Sequence, residues 1–237
     1  MTENKIRVEY LMAWLGTATL AALARFELPL EAVAVGYAAI LLGALLVAWL
    51  LHLRIFLYQA LVLLALAAFR LSTYNFFRLN ESFSSSPSSL SNAIWAILLL
   101  AAGVPVCFKL RQTGNEPLKG LQKAAFLVRR PEQPMFFVPA VLIAVLAAVK
   151  LTGVVITGAW AVEGVLIIFL GFFARERSYR RSGLVLLLLC ALKVLAMDMW
   201  KIHDTGARYL AMIGVGVMLL LGAFLFAKNK EALRELL

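Results

Sequence analysis

Histidine and cysteine are scarce in this chain, with two of each in 237 residues, and that scarcity closes off several kinds of chemistry. Cys107 and Cys190 lie in apolar runs with no histidine or second cysteine at metal-ligand spacing, so both thiols read as packing residues. His52 stands two residues before Arg54 at the end of an apolar run. No second ligand is evident there, and it reads as an interfacial residue rather than a haem or metal ligand. His203 adjoins Asp204, but no serine or cysteine nucleophile stands in a recognisable context with them. Paired-aspartate, phosphate-loop, histidine-box and zinc-spacing motifs are missing too. The residues name no catalytic, metal or cofactor set, and an enzyme is the weaker expectation.

Charge is equally thin. Only 15% of the residues are Asp, Glu, Lys or Arg, against 63% hydrophobic, and the mean hydropathy is +0.89. That composition excludes an ordinary soluble domain and predicts an integral membrane protein. The apolar runs are too long and too continuous for barrel strands, which alternate in polarity and turn often. The expected fold is an all-α, polytopic transmembrane helix bundle. Residues 1–9 mix both signs of charge, and the first apolar run leads into others without a small-residue cleavage site. It therefore reads as a retained anchor rather than a signal peptide.

Eight spans are predicted near residues 9–25, 30–51, 54–71, 93–109, 135–151, 159–174, 183–200 and 207–227. The first and sixth look short for a hydrocarbon core that takes roughly 20 residues, so they would be tilted or partly interfacial. Of the 23 Lys and Arg, all but Arg25, Arg70, Arg78, Lys150, Lys193, Lys201 and Arg208 fall in the tails and alternate loops of one side. The positive-inside rule puts that side, and both termini, in the cytoplasm. The net charge of +10 is thus topology, not a nucleic-acid footprint.

Gly36-Tyr-Ala-Ala-Ile-Leu-Leu-Gly43 and Gly164-Val-Leu-Ile-Ile-Phe-Leu-Gly171 share Gly, Ile, Leu and Gly at four matching positions, 128 residues apart. The same offset carries the first, second and third spans onto the fifth, sixth and seventh. Residues 1–111 and 135–237 then form two tandem parallel four-helix units joined by a basic cytoplasmic linker, 112–134. Within each pair, the glycines are seven residues apart and return to nearly one helix face, where a neighbouring helix can come close. Residues 82–91 are a serine-rich outer stretch that reads as a linker. Residues 117–130 interleave Lys119, Lys123, Arg129 and Arg130 with Leu118, Leu121, Phe126 and Leu127. They read equally as a topogenic loop or as an amphipathic helix drawn to anionic lipid.

Lys193 stands about ten residues into the seventh span, within an apolar run from Leu184 to Met197. A lysine at that depth costs about 2.5–3.5 kcal/mol on insertion scales and asks for a partner or a polar interior. Asp198, five positions on, is turned away from it; Glu163, in the preceding span, is the better partner. On the predicted topology Glu163, Asp198, Lys201 and Arg208 lie toward the outer face, with Lys193 deeper. The first unit has Val35, Ala65 and Arg70 at the positions of Glu163, Lys193 and Asp198, so the charged cluster belongs to the second half. It serves either as an ion-pair network that fixes helix register or as a pocket for an anionic headgroup, a small acid or a proton.

From Trp160 to Phe226 the chain resembles the C-terminal region of the DUF2339 predicted membrane proteins of bacteria. The resemblance rests on Trp160-Ala-Val-Glu163-Gly164 with Leu170-Gly171, on Arg181-Ser-Gly183-Leu184, on Lys193 with Asp198, and on Arg208 opening a glycine-containing last helix. It covers about 70 residues clearly and, through the internal repeat, the whole chain loosely. It implies a multi-pass protein of the bacterial cytoplasmic membrane, shorter than its relatives and without an assigned activity, with Glu163, Lys193, Asp198 and Arg208 in the family pattern. The expected role is a structural, assembly or lipid-associated subunit, with membrane lipids and a companion membrane protein or second copy as partners. The alternative is a transporter or lipid-handling protein that binds an anionic group at the charged cluster. A membrane enzyme of envelope-lipid or polysaccharide metabolism comes third.

Overall fold

A computed structural model describes residues 2–77, 87–112, 130–152 and 154–194, with isolated positions between 206 and 224. Every regular element among them is helical: α1 (Thr2–Glu27), α2 (Val33–Leu51), α3 (Arg54–Arg70), a π-helical turn (Leu71–Asn75), α4 (Pro87–Gln112), α5 (Glu132–Lys150), α6 (Val154–Phe173) and α7 (Arg177–Lys193). Among the described residues, five stretches are long and apolar enough to cross a membrane: Val33–Leu51, Ile55–Asn75, Ser88–Leu110, Glu132–Lys150 and Val155–Phe173. These are the second to sixth of the expected spans. The seventh is described only as far as residue 194, and the eighth only at scattered positions.

Two edges differ from expectation for identifiable reasons. The sixth span is not short: α6 begins at Val154 and runs for 20 residues. Thr157 and Gly158 resemble loop residues in sequence, yet Thr157 is buried against a partner in α7. The third span does not stop at residue 71, because the polar run Ser72-Thr73-Tyr74-Asn75 continues as a π turn. Helices in a membrane must keep their backbone groups paired, so a polar run need not break one. α1 is 26 residues long but is not among the five; Gly16, Thr17 and Thr19 dilute a stretch bounded in sequence by Glu9 and Arg25.

The chain divides into two compact units, Met1–Ile143 and Ala144–Leu237, and α5 spans the division. In the first unit α2 is the central helix, packed on α1, α3 and α4. Its Ala34, Ala38, Leu41, Leu45 and Ala48 are buried at the three- and four-residue spacing of a single face. Small side chains there let helices come close where no hydrophobic effect drives them together. α2 ends at His52, whose backbone takes the left-handed conformation (φ 57°). That is a residue type enriched in this region, in the place where glycine usually terminates a helix.

Between α1 and α3 lies a buried polar contact. Thr17 Oγ1 stands 2.8 Å from Gln59 Oε1 and 3.0 Å from the carbonyl of Ala13, and Gln59 Nε2 is buried without a partner. One hydroxyl proton cannot serve two acceptors. Turning the Gln59 amide over lets Nε2 donate to Thr17 while Thr17 donates to Ala13, and this satisfies the stronger donor. On that reading Thr17→Val alone costs about 1 kcal/mol in detergent melting experiments, while Thr17→Val with Gln59→Leu returns close to the parent stability. Equal losses in the single and double variants would disprove the pairing.

Candidate functional site

The second unit is built on an antiparallel hairpin of α6 and α7. Thr157, Ala161, Gly164, Ile168 and Gly171 are buried along α6, and Tyr179, Arg180, Gly183, Leu187 and Cys190 along α7. The two stripes mesh at backbone distance. A Cβ on Gly183 would stand 2.7 Å from the carbonyl oxygen of Gly164 and 2.6 Å from Ile168 Cγ1. On Gly171 it would meet the Arg180 backbone nitrogen at 2.8 Å, and on Gly164 it would meet Leu187 Cγ at 3.0 Å. In the first unit Gly36 is equally tight, with Leu28 Cδ1 2.6 Å from its virtual Cβ, whereas Gly43 has open space around it. Gly36, Gly164 and Gly171 thus lie at a close approach within the chain, and Gly43 does not.

Within this hairpin, Lys193 Nζ donates a 2.6 Å hydrogen bond to Thr157 Oγ1. The pairing follows from helix geometry: Thr157 precedes Gly164 by seven residues and shares its face, whereas Glu163, one position away from Gly164, is turned about 100° off the α7 contact. Glu163 is half-buried, and both of its carboxyl oxygens are buried without a hydrogen-bond partner. Among the described residues, then, Lys193 is bonded to Thr157 and no hydrogen bond joins it to the Glu163 carboxyl. Cys190 lies within electrostatic reach of both Lys193 and Glu163. It belongs to a core cluster with Ala161, Ile168 and Leu187, against which Trp160 packs. Trp160 Nε1 donates to the carbonyl of Ala144 at 2.9 Å, which ties the Glu163 turn of α6 to the second half of α5.

Asp198, Lys201 and Arg208, the other three members of the expected cluster, lie outside the described residues, as do His203 and Asp204. What the hairpin contributes is an ammonium held by a hydroxyl and a buried carboxyl. Together these can bind a polar group or anchor another helix.

A second polar convergence, in the first unit, went unforeseen. Around the π turn, Arg70 Nη2 donates to the carbonyl of Leu30 at 2.8 Å and Asn75 Nδ2 to that of Glu31 at 3.0 Å. Ser88 donates to the Glu31 carboxyl at 2.9 Å. Single π turns recur at functional sites. In sequence only Arg70 carried a signal, as a lone charge at the edge of a span.

The model of a family described as predicted membrane protein (DUF2339) matches residues 3–229, well beyond the Trp160–Phe226 stretch that carries the resemblance. No curated protein matches the chain, nor does any solved structure.

Proposed function

The chain belongs to the DUF2339 family of predicted membrane proteins, and on that premise we propose a non-enzymatic, polytopic protein of the bacterial cytoplasmic membrane that assembles or stabilises other membrane components. On this reading the chain has about eight spans in two parallel four-helix units with both ends on the cytoplasmic side. The supporting observation is the division of surfaces. Polar side chains such as Gln59, Asn75, Thr157 and Arg180 are buried between helices. The outward faces carry large apolar residues, as on α7, where Leu184, Val185, Leu188, Leu189 and Leu192 are all exposed. In lipid such faces contact acyl chains or other helices, and association there depends on small residues and shape. Gly43, open on the outer side of its own bundle, offers a close approach of that kind to a companion chain or a second copy.

One observation favours a second reading, in which the protein holds an anionic group. Glu163 keeps a buried carboxyl with no hydrogen-bond partner among the described residues in the hairpin that holds Lys193, and Asp198, Lys201 and Arg208 would complete a cluster that binds a headgroup or small acid through the cations and its proton or hydroxyl through the acids. Native mass spectrometry of the gently extracted protein, with and without Lys193→Met, separates the two. A companion chain retained by both forms supports the assembly role. A small ligand or lipid held by the parent and lost from the folded variant would overturn it in favour of the second.

A further inference from the structure

Among the described residues, Arg70 is held by neutral groups alone. Its guanidinium lies 3.9 Å from the centre of the Tyr74 ring, and its Nη2 is fixed on the Leu30 carbonyl. Its Nε is buried with no acceptor. Arg25 lies in the last turn of α1, five residues before the Leu30 carbonyl that holds Arg70, and its like charge acts on the Arg70 guanidinium. Glu31, in the adjoining loop, accepts a hydrogen bond from Ser88 instead, and no ion pair joins Arg25 or Arg70 to an acid among the described residues. A guanidinium oriented by a ring and a carbonyl keeps its full charge for a third party, and its planar fork suits a phosphoryl oxygen pair.

Two arginines at one corner of the bundle repel one another unless an anion lies between them. The surroundings say which kind. Phe26 and Phe69, next to Arg25 and Arg70 in the chain, are exposed, as is Phe77 just beyond the π turn. Cations at the end of a span with outward-facing aromatics beside them match the headgroup and first methylenes of a lipid, where polar and apolar contacts are needed within a few ångströms of each other.

We infer that Arg25 and Arg70, at the junction of α1, the α1–α2 loop and the π turn, form a site for the phosphoryl headgroup of an anionic membrane lipid. The inference rests on the membrane reading above and is independent of the charged cluster in the second unit. On the proposed topology the site faces the outer leaflet. Tyr74 and the Leu30 carbonyl set the angle of the Arg70 fork, and Arg25 supplies the second charge from the neighbouring helix.

The test uses the full chain in detergent micelles, offered phosphatidylglycerol, phosphatidylcholine or inorganic phosphate, with bound lipid read by native mass spectrometry. The parent protein should retain phosphatidylglycerol in preference to phosphatidylcholine. Arg25→Gln and Arg70→Gln should each weaken that retention about fivefold, and the double variant about 25-fold. Arg25 is exposed and makes no hydrogen bond among the described residues, so Arg25→Gln keeps the test valid if loss of Arg70 prevents folding. Retention that is unchanged in Arg25→Gln, or no preference for the anionic lipid in the parent, overturns the site. Displacement of the lipid by inorganic phosphate at equal concentration also overturns it, in favour of a free-anion site. A chain that stays monodisperse without detergent would instead overturn the membrane reading itself.

Discussion

Gly183→Val should abolish the folded second unit: little monodisperse protein is recovered in detergent, and what remains melts far below the parent. The reason is what a side chain at residue 183 would meet. Its first carbon would lie 2.7 Å from the Gly164 carbonyl oxygen and 3.0 Å from the Ile168 backbone nitrogen. Both are main-chain atoms of α6, which cannot rotate away as a side chain can. The helices must separate, and separation undoes the contacts of Ile168, Leu187 and Cys190 across the same seam. Overpacking a well-packed core costs about 1–3 kcal/mol where side chains can adjust, and here the loss lies at or beyond the upper end. Gly183→Ala should be intermediate. Gly43→Ala, with nothing within 4 Å of its virtual Cβ, should leave monomer stability unchanged or raise it by up to about 1 kcal/mol through reduced backbone freedom. A Gly183→Val protein that melts with the parent would show that close packing does not hold the hairpin.

This seam also marks what could be read from the sequence. Gly164 and Gly171 stand out because their spacing returns to one helix face, a property of a single segment. Gly183 carries equal steric weight, but a lone glycine near the start of a span does not say which residue of another helix it meets. Its place in the family pattern was its only signal. The five candidate spans were legible because the membrane demands long apolar runs. Their ends were not, because a polar residue at a span end can be buried by a neighbour, as Thr157 is by Lys193, or carried on in a π turn, as Tyr74 and Asn75 are. Lys193 was legible as a charge needing a partner. The identity of the partner depended on the rotation of α6 about its own axis, which hydropathy does not encode. The place of Arg70 was hidden for a similar reason: its bond to the Leu30 carbonyl in the α1–α2 loop depends on how α3 packs against α2.

The lysine–threonine bond leads to an asymmetry that an ion pair would not produce. Thr157→Val keeps the shape of the side chain and removes an acceptor from an ammonium inside an apolar helix, and a hydrogen bond to a charged group contributes about 1.5–3 kcal/mol. Lys193→Met also removes the bond, but it takes away the charge that makes α7 expensive to insert, worth about 2.5–3.5 kcal/mol at span centre. The threonine hydroxyl that remains can turn to a carbonyl one turn back in its own helix. Lys193→Met should therefore cost under about 1 kcal/mol or stabilise, and adding Thr157→Val to it should cost almost nothing further. The coupling between the two positions is then about 1.5–3 kcal/mol, measured as melting shifts or detergent-unfolding midpoints of the four proteins. Glu163→Gln should be additive with Lys193→Met within about 0.5 kcal/mol, because the Glu163 oxygens accept nothing. If Glu163→Gln instead rescues Lys193→Met, the carboxyl and the ammonium act as a pair and the bond to Thr157 is incidental. Additive losses from Thr157→Val and Lys193→Met would likewise remove Thr157 from the site and leave Lys193 held elsewhere.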